Sequence, residues 1–267
     1  MKIIKTKTIR VISFIFLAVT AVCSFFFIHE VFKAKEEISG YSYIRKGYTS
    51  VIYPCIDEDT EGYYPKETDL LPYIEADFGA LLQVNPETVG WLAVPGTVIS
   101  YPVVQTDNNS KYLDIDFSGK YSNTGTPFVD ADNDLQVLDM NTIIYGHNMG
   151  IGRTDMFGSL TDYKDYDFYS SHRYIQFNAI YRLNGWWKVF AIIEYDTQND
   201  SFLYQQIQFQ STDDFMNWIE EARALSIHKS DITIAPDNHI LTLSTCVKEK
   251  YGRNGRLLVV AVKLNTI

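Results

Sequence analysis

The chain has 267 residues, a formal net charge of -10 and an aromatic content of 15%, with 19 Tyr. That is long enough for one sizeable domain with appendages, excludes collagen-like and disordered chains, and argues against sequence-independent nucleic-acid binding, which needs a basic surface. Of the three cysteines, Cys23 lies inside an apolar stretch and is a poor disulfide partner, which leaves Cys55–Cys246 as the one pairing open and no disulfide framework.

Residues 1–10 carry Lys2, Lys5, Lys7 and Arg10 and no acid, and Val11–Ile28 is then almost wholly apolar. At about 1.5 Å per helical residue this stretch spans roughly 27 Å, close to a hydrocarbon core of about 30 Å. A cleaved signal peptide is the competing reading. It lacks a small-residue cleavage site, since Phe25, Phe26, Phe27, Ile28 and His29 end the run. The expectation is an uncleaved, single-pass anchor with the basic end inside and residues 29–267 outside. An acidic ectodomain is then held at an anionic surface by its anchor, not by charge attraction.

Residues 29–76 read as an extracellular stem. Glu30–Ile38 continues the helix, and Tyr41–Leu71 is polar and tyrosine-rich, with Pro54, Pro65 and a bystander thiol at Cys55. Residues 77–267 read as the folded domain. Asp77–Val84 is a short helix stopped at Asn85–Pro86, because a residue before proline is pushed out of the helical region. Strands follow at Gly90–Val94 and Ser100–Val104, around a Pro95–Gly96 turn, and then at Thr126–Asp130 and Asn141–Tyr145. A short helix is expected at Thr154–Leu160, with strands at Tyr174–Ala179 and Trp186–Tyr195 turning near Asn184–Gly185. Ser211–Ile227 is an amphipathic helix with Ser211 and Asp214 as a capping box and Phe215, Trp218, Ile219, Ala222 and Leu225 as its apolar stripe. With the last two strands this makes about eight short strands and few helices, a pattern of a closed barrel or a sandwich.

The chemistry concentrates at Thr242–Val262. Ile240, Leu241 and Leu243 lead into Ser244, Thr245 and Cys246, a glycine-containing loop follows, and Arg256 opens the apolar run Leu257–Val262. Two neighbouring antiparallel strands place a thiol and a fixed cation on one rim of a sheet. A nearby cation favours the thiolate, and a guanidinium holds a developing oxyanion. Arg253, after Gly252, is the rival for that place; Arg256 ranks ahead because it opens the strand. Ser244 and Thr245 either shape a substrate groove or are small residues that allow close packing.

His147, in Tyr145-Gly146-His147-Asn148, ends the strand of Ile143–Ile144 and stands at a sheet rim. His172, His228 and His239 have structural explanations in turns or at a helix end, and His29 flanks the membrane. Asp130, Asp132 and Asp134 have the spacing of a calcium loop, but Leu135 and Asn141 occupy the positions where an EF-hand needs Gly and Glu. The acids read as a solvated turn. No zinc pattern is present, and no metal is expected.

These pieces together resemble class B sortases: Thr242–Cys246, Arg256, Tyr145–Asn148, and Asn85–Gln105 followed by Asp107, Asn108 and Tyr112–Leu113. The resemblance covers roughly Asp77 to Leu264. It implies a closed eight-stranded β-barrel with a long helix before the Cys strand, no cofactor and no obligate calcium. It also implies a membrane-anchored cysteine transpeptidase of Gram-positive bacteria that cuts an Asn-Pro-Xaa-Thr-type C-terminal sorting signal on surface proteins. The new carboxyl end is joined to an amine of a peptidoglycan precursor or a pilin. By the same matching Cys246 is the nucleophile, His147 the acid/base group and Arg256 the oxyanion or positioning group, while Tyr145, Ser244 and Thr245 bind substrate. Two readings from other classes stand beside it: a non-catalytic wall-facing binding module on the same fold, and a hydrolase in which water takes the thioester.

Overall fold

The computed structural model describes residues 2–53, 67–137, 139–150, 152–181, 184–198 and 201–264, with the backbone alone for residues 2–12 and Leu70. Cys55 and the rest of residues 54–66 of the tyrosine-rich stem lie outside the described residues. The chain divides into two compact units, Met1–Ile44 and Arg45–Ile267.

The first unit is nearly all helix α1 (Lys2–Tyr48), which continues past the expected helical segment without a break. Ser13–Tyr48 is long and apolar enough to cross a membrane, with a mean hydropathy of 2.1 in its most apolar window. Phe14, Phe16, Leu17, Phe25, Phe26 and Phe27 are all exposed on it. The hydroxyl of Thr20 donates back to the carbonyls of Phe16 and Leu17, at 3.0 and 2.9 Å, so this polar group needs no outside partner.

In the second unit β1 (Thr49–Ile52) pairs antiparallel with β2 (Tyr73–Ala76), Thr49 opposite Ala76. Both strands fall inside the segment read as a stem, where polarity hid them. Next comes α2 (Phe78–Val84), whose cap Asp77 accepts from the Ala80 N–H at 2.9 Å and which ends at Asn85.

Eight further strands form a closed barrel: β3 (Thr88–Ala93), β4 (Ser100–Val104), β5 (Phe128–Val129), β6 (Asn141–Tyr145), β7 (Tyr174–Ala179), β8 (Trp186–Asp196), β9 (Ile240–Cys246) and β10 (Gly255–Lys263). Around the barrel the order is β10-β8-β7-β3-β4-β5-β6-β9. Closure removes sheet edges, and it also decides between the two architectures that the strand pattern left open. The strands read as near-continuous apolar runs because both faces are covered. Fully buried on these strands are Trp91, Leu92, Ile143, Phe177, Trp187 and Leu243, each at 0% exposure. Outside, α4 (Thr212–Leu225) lays Phe215, Trp218, Ile219 and Ala222 on Phe190, Ile193, Leu258 and Val260 of β8 and β10. Each such aromatic or aliphatic side chain contributes about 1.5–3 kcal/mol on burial.

Three local expectations need correction. The helix expected at Thr154–Leu160 is a 3-10 segment at Gly158–Lys164, because Met156 has φ 52° and gives its N–H to the Tyr101 hydroxyl instead of a helical carbonyl. A helix that the sequence reading missed, α3 (Tyr166–Ser171), follows it, capped by Asp165. On α4 the cap is one-sided: Ser211 accepts from the Asp214 N–H, while the Asp214 carboxylate turns to the Gln210 N–H. Leu225 leaves the expected stripe and is exposed, being the last residue before the cap.

Candidate active site

The barrel order makes the site. Strand β9 lies between β6, which runs parallel to it, and β10, which runs antiparallel. Cys246 is the last residue of β9, and its register partner on β10 is Arg256. Directly paired residues project from the same face, so thiol and guanidinium share one side of the sheet. On the other flank Tyr145 pairs with Ser244, and the Gly146 N–H continues the ladder to the Ser244 carbonyl at 3.2 Å. His147 follows two residues after the end of β6, on the flank of β9 opposite to β10.

All three line one open cleft of about 260 Å³, together with Tyr145, Ser244 and Thr245. Cys246 is half-buried, with a free thiol. Ser244 and Thr245 are each 2% exposed, and the Thr245 hydroxyl donates to the Gly146 carbonyl at 2.7 Å. Thr245 thus ties the histidine-bearing segment to the cysteine strand. Asn148 makes the reciprocal tie, its side-chain N–H donating to the Cys246 carbonyl at 2.9 Å. His147 Nε2 lies 2.7 Å from the Leu113 carbonyl oxygen. A carbonyl only accepts, so Nε2 carries a proton in this contact.

Arg256 is steadied by the carbonyls of Arg253 and Gly255, to which Nη1 donates at 3.1 and 2.9 Å. Its rival Arg253 is exposed and serves through its backbone oxygen. Among the described residues no carboxylate lines this cleft.

The other histidines stay away from it. His172 caps α3 and stacks on Phe168, His228 stacks on Tyr169 and contacts the Tyr163 carbonyl, and His239 contacts the Asp139 carbonyl. The acidic turn is only partly solvated. Asp132 and Asp134 are exposed, but Asp130 is 3% exposed because it accepts the Tyr145 hydroxyl at 2.6 Å. That phenol also accepts from Gln205 at 2.8 Å. Burial, then Tyr204 and the bond to Asp130, push the Tyr145 phenol far above its ordinary range, so it stays protonated. Among the described residues no group of three or more His, Cys, Asp and Glu is arranged to hold a metal.

Sequence reasoning missed Asn109, Phe128, Tyr204 and Gln205, which also line the cleft. Asn109 and Gln205 sit in polar connections with no periodicity to mark them. Tyr204, in the same connection as Gln205, is 5% exposed, and a buried aromatic in a polar loop was the one usable signal.

No protein-family model matches the sequence. The chain is 32% identical over 192 residues to sortase B of Staphylococcus aureus, covering 72% of this chain and 76% of that protein. It is 32% identical over 205 residues to sortase B of Listeria monocytogenes, covering 76% and 81%. Among solved structures it is similar to the Staphylococcus aureus sortase B–substrate complex, with a TM-score of 0.64 and 31% identity over 72% of this chain and 86% of that one. Sortase B from B. anthracis aligns with a TM-score of 0.69 and 26% identity, over 90% of this chain and all of that one, 100%. The eight-stranded barrel, the thiol at the end of β9 and these relatives converge: the chain belongs to the sortase B family and is a sortase-type cysteine transpeptidase.

Proposed function

We propose that the chain cleaves an Asn-Pro-Xaa-Thr-type C-terminal sorting signal through a thioacyl intermediate on Cys246 and passes the acyl group to a cell-wall or pilin amine. The observation that supports this most is the placement of Cys246 on the strand between those carrying His147 and Arg256, with all three on one cleft.

In this reading the sulfur attacks the threonine carbonyl. The tetrahedral oxygen gathers charge that the Arg256 guanidinium offsets, and a preorganised donor of this kind is worth about 10²–10³ in rate. His147, as imidazolium, hands a ring proton to the leaving amine. As neutral imidazole it takes a proton from the incoming amine, and the acyl group leaves sulfur for nitrogen. The acid-free cleft suits a donor that is a neutral peptide segment. Tyr145, Ser244 and Thr245 form the floor on which the peptide lies.

The domain plan belongs to the same proposal: residues 1–10 inside the cell, 11–28 as the anchor, 29–76 as the stem and 77–267 as the catalytic domain. The long apolar α1 supports the anchor, and a signal sequence has the same length and composition. Intact-mass analysis of wild type and Cys246→Ala incubated with an Asn-Pro-Xaa-Thr peptide tests the chemistry. The wild type gains the acyl mass and releases the C-terminal fragment, while the variant does neither. Turnover by Cys246→Ala at the wild-type rate removes the nucleophile. Comparing product with and without an added amine separates transfer from hydrolysis.

A further inference from the structure

Asn85, Glu87, Asn108 and Tyr112 belong to the segments that resemble the family, yet none of them has a part in the chemistry above. A chain of contacts joins them to His147. Asn85, which ends α2 and is 6% exposed, donates from its amide to the Tyr112 hydroxyl at 2.8 Å and to the Phe117 carbonyl at 3.0 Å. The Tyr112 hydroxyl passes its own proton to the Glu87 carboxylate at 2.6 Å. Burial opposes the charge on Glu87, but the bonds from Lys111 and Tyr112 outweigh it and hold the carboxyl below its usual range. The carboxylate therefore accepts and the phenol donates.

This fixes a short piece of backbone. Tyr112 is 3% exposed and lies in the 3-10 turn Lys111–Leu113. Before it, the Asn108 side-chain oxygen accepts the Ser110 and Lys111 N–H groups at 3.0 and 2.9 Å. After it, the Tyr112 carbonyl accepts the Thr126 N–H at 3.0 Å. Gly125, at φ 57°, packs so close that a Cβ there would stand 2.3 Å from the Tyr112 carbonyl oxygen and 2.7 Å from that of Leu113. The next carbonyl, that of Leu113, meets His147 Nε2 at 2.7 Å. Among the described residues this is the one hydrogen bond of the His147 ring, and no carboxylate lines the cleft to orient it instead.

We propose that Tyr112 is a positioning residue for His147: its hydroxyl, held between Asn85 and Glu87, fixes the Leu113 carbonyl that aims the imidazole. The proposal rests on the reading of His147 as the acid/base group. A catalytic imidazole works only when a second group sets its ring, and here that group is a main-chain oxygen that is itself held by a buried side chain. A shift of about 1 Å in a reacting group costs up to 10²-fold in rate, so slack in this turn reaches the chemistry without touching the substrate.

The test uses the full-length chain in detergent and an Asn-Pro-Xaa-Thr peptide, with kcat and KM measured for each variant well below its urea unfolding midpoint. Tyr112→Phe keeps the ring, loses the hydroxyl and lowers kcat about tenfold, with KM within twofold of wild type. Glu87→Ala, at a half-buried side chain, acts in the same direction and carries the test should Tyr112→Phe fail to fold. Glu87→Gln still accepts from the phenol and recovers most of the rate. Asp213→Asn, exposed on α4, keeps wild-type kinetics. If Tyr112→Phe and Glu87→Ala stay within twofold of wild type in kcat, or raise it, while His147→Ala is inactive, the positioning role is wrong and the acid/base reading survives. A rise in KM with kcat intact also overturns it, by placing Tyr112 in substrate binding. If His147→Ala turns over like wild type, both fall.

Discussion

Cys246 and Arg256 are register partners across the β9–β10 ladder, so strand pairing sets their backbone separation, while the Arg253 carbonyl of the joining loop and the Gly255 carbonyl steady the guanidinium.

That relationship makes Arg256 the most informative substitution. Arg256→Ala lowers kcat for peptide cleavage about 10²–10³-fold with a smaller change in KM, the mark of a group used mainly in the transition state. Arg256→Lys keeps the charge but loses the planar fork, and recovers only part of the rate. A variant that raises KM alone, with kcat intact, would show that the guanidinium binds substrate and nothing more.

Two glycines fix the strand ends that carry the site. A Cβ on Gly146 would stand 2.6 Å from the Phe157 ring, and one on Gly255 would stand 2.0 Å from the Val247 carbonyl oxygen. Gly146→Ala therefore shifts the segment bearing His147, and Gly255→Ala parts β10 from the loop just before Arg256. Each costs about 1–3 kcal/mol of stability. Each also lowers turnover by more than tenfold, because a displacement of about 1 Å in a reacting group is worth up to 10²-fold. Urea unfolding together with steady-state kinetics checks both, and wild-type turnover in Gly146→Ala contradicts this placement of His147.

Asn148 is a positioning residue. Its amide holds the Cys246 carbonyl, and Asn148→Ala gives up that bond at about 1 kcal/mol. The expected result is a fall in kcat of about tenfold with the alkylation rate of Cys246 by iodoacetamide altered in parallel, since the strand end is no longer pinned. A change in stability with no change in either rate would make the contact structural only.

The barrel is predicted to be sensitive to alkali. Burial raises the phenols of Tyr73, Tyr101, Tyr145, Tyr163, Tyr174 and Tyr204 above the ordinary phenol range, Tyr101 to about 12. Below about pH 10 both folded and unfolded chains keep these protons, and stability is at its full value. As pH rises past 10 the unfolded chain releases protons that the folded chain retains, so the unfolded state gains and stability falls. The thermal midpoint should decline steadily above about pH 10, with the share of tyrosinate absorbance owed to the buried phenols rising only as the protein unfolds. A midpoint flat to pH 12 would contradict it.

By itself the sequence determined the parts with local causes. Asp77 before an apolar run and Asn85–Pro86 after it bounded α2, the apolar run ending at Tyr145 bounded β6, and the stripe Phe215, Trp218, Ile219 and Ala222 placed α4. It also marked Cys246, Arg256 and His147 as chemically able residues at strand ends. The neighbouring strands β9 and β10 also let it place Cys246 beside Arg256, but only the tertiary structure decided that His147 joins them. The β6–β9 pairing is non-local, with the two strands far apart in the chain, and no periodicity within either strand records its neighbour. The same is true of Asn109, Tyr204 and Gln205, brought to the cleft by loops whose course follows from barrel closure. Asp130 shows the point from the other side: its sequence context is that of a solvated acid, and it is buried because a tyrosine from the adjacent strand supplies the hydrogen bond that burial demands.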